Sequence, residues 1–391
     1  MGSIRLAEPD LDLIRDVKKA GGDTLNKCYQ CATCSVVCNL SPTDKPFPRK
    51  EMLWTQWGQK DKLMTDPDIW LCHQCNDCTT RCPRGAKPGD VLAAIRTNIY
   101  KSFAFPSFMG NALASPGALP ILLLVPVLLL LGCVLFFAPT DAAGDYIFMQ
   151  SSQIDFDFFL PHSSVDALFV FGNVLIFIFA SVSFFRFWKG LKSSGGETKL
   201  SFVGALIKVA FDILGHSAFN KCETNKPRAL GHKLLIYGFI GAMITTGAVF
   251  LSIFIPHYLE LLGLDLFKPL FILPLGVLNP FKILGVLSGI AILIGGSLLI
   301  FRRWTNKDDV GANGYADYLF LYMVFFVGLT GMFSWLTRLT GIPMLAYVNY
   351  FLHMVTVFFL LWYMPYSKFA HMIYRTLALV YAKSIGREAR V

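Results

Sequence analysis

The stretch CYQCATCSVVC, residues 28–38, puts four thiols within eleven residues, and CHQCNDCTTRC, residues 72–82, repeats its spacing 44 positions later. Both runs read CxxCxxCxxxC, so eight of the ten cysteines fall in one duplicated motif, leaving Cys133 and Cys222 elsewhere. In such a run three closely spaced thiolates suit three iron corners of a cubane, and the fourth cysteine reaches across to the other cluster of a two-cluster ferredoxin. The spacing therefore places Cys28, Cys31, Cys34 and Cys82 on one [4Fe-4S] cluster and Cys72, Cys75, Cys78 and Cys38 on the other. Zinc uses four ligands in two pairs and would leave the later cysteines of each run without work. Disulfides fit worse, because no signal peptide leads the sequence and a reducing compartment opposes them. The runs differ in one respect: Pro83 follows the second and Asn39 the first. The intervening mixture of helix formers, prolines and tryptophans predicts a helical ferredoxin domain with the runs at the ends of short helices.

The rest of the chain is built for another solvent. Of 391 residues 54% are hydrophobic and 16% charged, with a mean hydropathy of +0.52, where soluble domains carry about 25% charged residues. Apolar stretches of roughly the 20 residues that cross a bilayer run at about 118–138, 166–187, 234–255, 281–301, 317–337 and 350–372. The expected fold is all-α: a cytoplasmic ferredoxin-like domain over 1–110, then a six-helix transmembrane haem b bundle over 111–391. The first span has Pro126 and only Cys133 as a polar handle, and reads as an anchor.

Charge in the connections sets the expected topology. The 139–165 connection has no Lys or Arg but carries Asp141, Asp145, Asp155 and Asp157, whereas Arg186, Lys189, Lys192, Lys199, Lys208, Lys221, Lys226 and Arg228 follow the second span. Arg302, Arg303 and Lys307 sit between the fourth and fifth spans, and Lys368, Arg375, Lys383, Arg387 and Arg390 follow the sixth. Both termini and both clusters are thus expected on the cytoplasmic side of the inner membrane. The net charge of +9 is mostly this bias and calls for no nucleic acid.

Histidines in membrane spans are costly and point to function, and neutral imidazole is a haem ligand. His353 and His371 lie 18 residues apart on the expected sixth span, five turns that return to one face and put an imidazole roughly 27 Å from its mate, near each surface. His232, at the cytoplasmic start of the third span, is the expected partner of His371 for an inner haem b. Gly238, Gly241 and Gly247 on its helix would admit a porphyrin or serve helix packing. For an outer haem His353 needs a partner, with His162 favoured and His257 the alternative; each follows a proline, and water or no ligand also remains open. No CxxCH occurs, which excludes c-type attachment. A quinone would have to meet a haem and exchange protons at a surface. His216, Arg228 and Lys233 lie at the inner one, but a solvated basic loop accounts for the last two, and the quinone site stays unassigned.

Two cysteine runs fused to a haem-helix segment resemble QmoC, the membrane subunit of the quinone-interacting membrane-bound oxidoreductase of sulfate reducers. That arrangement looks like a heterodisulfide reductase C-like ferredoxin joined to an E-like cytochrome b, and the second half is similar to the nitrate reductase gamma subunit. The segment from His216 through Cys222, Arg228, His232 and Gly238 resembles the family's approach to its haem helix, although Ala242 stands where the gamma subunit pattern has a second histidine. The resemblance implies menaquinol oxidation, electrons passing through haem b and two clusters to flavin-containing A and B subunits, and adenylylsulfate reductase as the onward acceptor. A sulfite-reduction-linked complex, a respiratory heterodisulfide reductase or a membrane-anchored ferredoxin are the alternatives. Direct reductase chemistry has no support, because the sequence lacks a GxGxxG unit, a CC motif and a substrate-sized soluble domain. Inverted repeats of a transporter are not evident, and a redox sensor needs one anchor, not six spans.

Overall fold

The computed structural model describes residues 8–215, 226–252, 275–305 and 314–387. Among them the chain is helical and has no β-strand, only a bridge between Thr140 and Tyr146. The N-terminal part comprises α1 (Leu11–Val17), α2 (Thr33–Val37), α3 (Arg49–Gln56), α4 (Lys60–Met64), α5 (Asp68–Leu71), α6 (Asp77–Thr80), α7 (Pro88–Phe103) and α8 (Ser107–Ala114). The apolar part comprises α9 (Leu119–Phe137), α10 (Ile147–Gln150), α11 (Phe156–Phe159), α12 (His162–Ser193), α13 (Phe202–Leu214), α14 (Lys226–Leu251), α15 (Pro280–Thr305), α16 (Tyr315–Leu339), α17 (Pro343–Trp362) and α18 (Ala370–Ser384). Six of these, α9, α12, α14, α15, α16 and α17, are long and apolar enough to cross a bilayer. Phe136, on α9, is 82% exposed, a surface that suits lipid contact and not water.

The helix α7 organises the N-terminal part. Pro88 occupies its first turn, where its missing N–H costs nothing, and Asp90 there complements the helix dipole. Val91, Leu92, Ile95 and Ile99 are fully buried, each contributing about 1.5–3 kcal/mol by burial.

Between α14 and α15 glycines let the backbones approach. A Cβ on Gly238 would stand 2.9 Å from the Ser288 carbonyl and one on Gly295 would stand 2.8 Å from that of Gly231, while Gly241 abuts the Ser288 hydroxyl. Gly238 and Gly241 therefore serve helix packing; a Cβ on Gly247 would meet nothing.

The expected sixth span over 350–372 is corrected by the structure. The helix begins at Pro343 and stops at Trp362, a turn runs through Met364–Tyr366, and α18 starts at Ala370. Pro365 has no N–H to continue the ladder. The Tyr363 hydroxyl donates to the Leu122 carbonyl at 3.0 Å and the Tyr366 hydroxyl to that of Phe105 at 2.8 Å, tying the turn to the start of α9 and the link before α8. His353 and His371 thus lie on different helices, which removes their shared face.

The cysteine-bearing domain rests on the membrane helices through Trp70, fully buried, whose ring meets Phe187 at 5.7 Å, Tyr374 at 6.0 Å and His371 at 5.3 Å. A polar clasp lies beside it. The Lys50 ammonium contacts Glu51 at 2.8 Å, Asp66 at 2.6 Å and Asp68 at 2.8 Å. Arg387 binds Asp68 and also the Asp44 carboxylate, at 3.2 Å. Three buried carboxylates and the exposed Asp44 face two cations, and burial pushes the Glu51 carboxyl well above its usual range.

A carboxyl raised in the folded state stabilises fully below its unfolded value and loses that contribution as pH rises toward its folded value. Glu51→Gln, neutral at all pH, is therefore expected to flatten the fall in stability above pH 5 and to match or exceed the parent at neutral pH, read by melting temperature across a pH series. On α12, a Cβ at Gly172 would overlap the Trp362 ring, itself stacked on Phe358 at 4.2 Å; Gly172→Ala is expected to cost about 1–3 kcal/mol, seen as a lower melting temperature in detergent.

Candidate iron-sulfur and haem sites

The repeat in sequence is a repeat in backbone. Gln30 and Gln74 have φ of 63° and 52°, and Ala32 and Asn76 have φ of 67° and 70°. Each pair occupies equivalent positions, so both runs carry their second cysteine between two left-handed residues before a short helix, α2 or α6. Such residues cost free energy outside glycine.

Cys38 shares one cavity with Cys72, Cys75 and Cys78, joined there by His73, Gly89 and Leu92. The thiols of Cys28, Cys31 and Cys34 lie near one another, and Cys82 is close enough to Cys28 for their charges to interact. The structure brings together both four-cysteine sets expected from the spacing, including the crossed fourth members. Burial pushes the Cys34 thiol up to about 11 and the Cys38 thiol up to about 12. The exposed Cys31 thiol is lowered instead by the Thr33 hydroxyl at 3.4 Å. Soft sulfurs crowded at this density are suited to iron, whose positive charge offsets the desolvation of the thiolates.

The two sets have different surroundings. Around the first, Tyr29 and Val36 are 68% and 71% exposed; Arg84 lies over the Tyr29 ring at 4.1 Å, and Arg49 donates to the Gln30 carbonyl at 3.2 Å. The second is held against the membrane helices, with the His73 imidazole 2.8 Å from the Arg375 guanidinium and Trp70 two residues before Cys72. Sequence reasoning missed Trp70, His73 and Arg375, since nothing in a lone aromatic or histidine announces a docking surface.

The histidines are dispersed. His371 lies at the junction against Trp70. His232 lies two turns before Phe239 on α14; Phe239 meets Phe369 at 5.4 Å, and Phe369 is two residues before His371. The structure therefore places both inner-haem residues toward the same end of the bundle. His353 sits near the middle of α17, about 15 Å along the axis from its start, and not at the outer surface as expected. Its Nδ1 lies 3.1 Å from the Thr330 hydroxyl, which leaves Nε2 for another partner. His162 opens α12 at the exposed end, its backbone N–H donating to Asp157 at 2.7 Å, and is not brought against His353. His257, His216 and Cys222 lie outside the described residues, and Arg228 outside the described side chains. Cys133 is buried in a packing cluster with Val134, Leu160 and Tyr347.

Fold and cysteine geometry define a class: a multi-helix membrane protein with an N-terminal iron-sulfur dicluster domain, and residues 24–86 match the family described as 4Fe-4S dicluster domain. Residues 113–391 match the family described as Citrate utilization protein B, and the chain belongs to that family. It is similar along 99% of its length, at 24% identity, to citrate utilization protein B of Escherichia coli, covering 96% of that protein. The N-terminal quarter is similar to the C subunit of the H(2):CoB-CoM heterodisulfide,ferredoxin reductase of Methanothermobacter marburgensis, 35% identical over 102 residues, 25% of this chain and 54% of that one. A protein of Archaeoglobus profundus that is itself like the heterodisulfide reductase C subunit is 32% identical over 100 residues, 25% of this chain and 53% of that one. The chain spans about half the length of these two relatives. No solved structure matches. The chain is an iron-sulfur electron-transfer protein of the membrane, related to the C subunit of heterodisulfide reductase.

The crossed pairing can be tested in single variants. Cys82→Ser is expected to deplete the cluster of Cys28, Cys31 and Cys34, and Cys38→Ser the other, each lowering iron from about eight toward four per chain and removing a different electron paramagnetic resonance signal. If Cys82→Ser instead removes the signal lost in Cys75→Ser, the fourth cysteines do not cross.

Proposed function

We propose that this protein is the electron-transfer subunit of a membrane quinone oxidoreductase, relaying electrons between menaquinol, haem b and two [4Fe-4S] clusters on the cytoplasmic side, in the manner of QmoC. One observation carries the reading: the second cysteine set is clasped to α12 and α18 through Trp70 and Arg375, while the first faces solvent beside Tyr29 and Val36. Electrons leaving the bilayer would enter at Cys72, Cys75, Cys78 and Cys38, pass to Cys28, Cys31, Cys34 and Cys82, and leave through the exposed rim of Cys31. The rim suits docking by the flavin and iron-sulfur A and B subunits of the same complex, with adenylylsulfate reductase as onward acceptor; the name of the Methanothermobacter relative of the N-terminal quarter, a subunit of a larger reductase, supports a multi-subunit assembly. The Lys- and Arg-rich connections support the cytoplasmic placement, and the division near residue 110 falls within α8, just before the first span.

His232 and His371 are the residues that would hold an inner haem b. Neutral imidazoles toward one end of the bundle, on helices that meet through Phe239 and Phe369, fit that role. His353, its Nδ1 engaged by Thr330, fits one side of a second haem, with His257 as the candidate opposite. Bound there, haem supplies one-electron steps between a two-electron quinol and one-electron clusters. The chain's own part is to orient the imidazoles, exclude water around them and fix the second cysteine set against α18.

The purified chain is expected to carry about eight non-haem irons and one or two b haems by pyridine haemochrome, with His232→Ala and His371→Ala each removing the same haem. Full iron without haem would overturn the cytochrome part of the reading.

A further inference from the structure

A second cavity, of about 290 Å³, lies where the cysteine-bearing domain meets the bundle. Its floor is apolar, from Leu319, Met323 and Phe359 of the spans, and its rim carries Tyr315, Lys101 and Lys368. A volume near 300 Å³ is at the lower end of small-molecule sites.

Three features narrow what it takes. The Tyr315 hydroxyl is buried and has no hydrogen-bond partner among the described residues, so it waits for an acceptor. Lys368 is ion-paired with Asp317, and Lys101 lies 3.9 Å from Asp16; two of the three lysines at the cavity, Lys19 being the third, thus already face a carboxylate, which leaves little charge for a phosphate headgroup. The apolar floor at the bilayer boundary favours a lipid-soluble molecule over a water-soluble one. A carbonyl-bearing ring with an apolar tail meets all three.

The cavity also lies on a route to iron. The α7 helix lines both chambers: Gly89 and Leu92 face the cysteine cavity, and Thr97, Tyr100 and Lys101 face this one. Leu92 and Tyr100 are eight residues apart, about 12 Å along the axis.

We propose that this cavity binds the ring of a quinol and delivers its electrons along α7 to the cluster of Cys72, Cys75, Cys78 and Cys38. The inference rests on the electron-transfer reading above and adds the site. Tyr315 donates to a ring oxygen. Oxidation breaks the two O–H bonds of the quinol; two electrons reduce the two oxidised clusters by one each, and two protons pass to water at the rim beside Asp317 and Lys368. The products are quinone, two reduced clusters and two protons.

The test is anaerobic reduction of the clusters of the full chain by menadiol, followed by stopped-flow absorbance, with dithionite as a site-independent reductant. Ala316→Phe, which fills the cavity, is expected to lower the menadiol rate at least tenfold, and Tyr315→Phe about tenfold, with dithionite reduction and iron content intact. Unchanged rates in both cavity variants overturn the site while leaving the relay standing; should Ala316→Phe lose its clusters, Tyr315→Phe decides. Loss of co-purified phospholipid from Ala316→Phe with an unchanged menadiol rate assigns the cavity to lipid and overturns the proposal. A parent chain that dithionite reduces and menadiol does not overturns both the site and the quinone reading.

Discussion

The structure depends on one aromatic contact, the Trp70 indole buried among Phe187, Tyr374 and His371. Burying a side chain of that size stabilises by more than any exposed ion pair. Its position two residues before Cys72 means that docking the domain and shaping the second cysteine set are one event. Phe103 extends the contact by meeting Phe187 at 5.4 Å, so the end of α7 is fixed by the same cluster of rings. Without Trp70 the junction would lose its largest fully buried side chain.

Polar groups at the junction are arranged to keep charge nearly balanced. Lys50 and Arg387 answer Glu51, Asp66 and Asp68, and Lys368 answers Asp317. Buried ions of this kind seldom add much stability over apolar packing, yet removing one partner is expensive. They therefore fix which surfaces meet more than how tightly they do so. In contrast, the exposed face around Cys31 keeps its arginines on top of Tyr29 and Gln30, where another protein can reach them.

The sequence was most legible where chemistry demands a fixed spacing. The two-cluster domain and the helical class were readable because cluster ligation restricts residue type and interval together. Six apolar spans were readable because a bilayer requires length. The sixth was misplaced: hydropathy runs on through Trp362 and Tyr363, and the stop at Pro365 was a local signal outweighed by the apolar pattern around it. That error carried the histidine argument with it, since a shared face holds only on one continuous helix. Gly238 and Gly241 could not be assigned from sequence, because close helix packing and close ligand approach ask for the same missing side chain. Trp70, Arg375 and Arg387 carried no periodic signal at all, and their partners lie up to some 300 residues away.

Arg387 has a consequence for how the molecule is made. It grips Asp68, Asp44 and the Lys45 carbonyl, so a residue near the carboxyl end completes a surface that emerged from the ribosome first. Domains usually fold in the order of synthesis. Here the cysteine-bearing domain must persist, with Asp68 lacking this guanidinium, until six spans have been inserted behind it. Through that interval Lys50 alone holds the Asp68 carboxylate, and the clasp closes only when Arg387 arrives from beyond the spans.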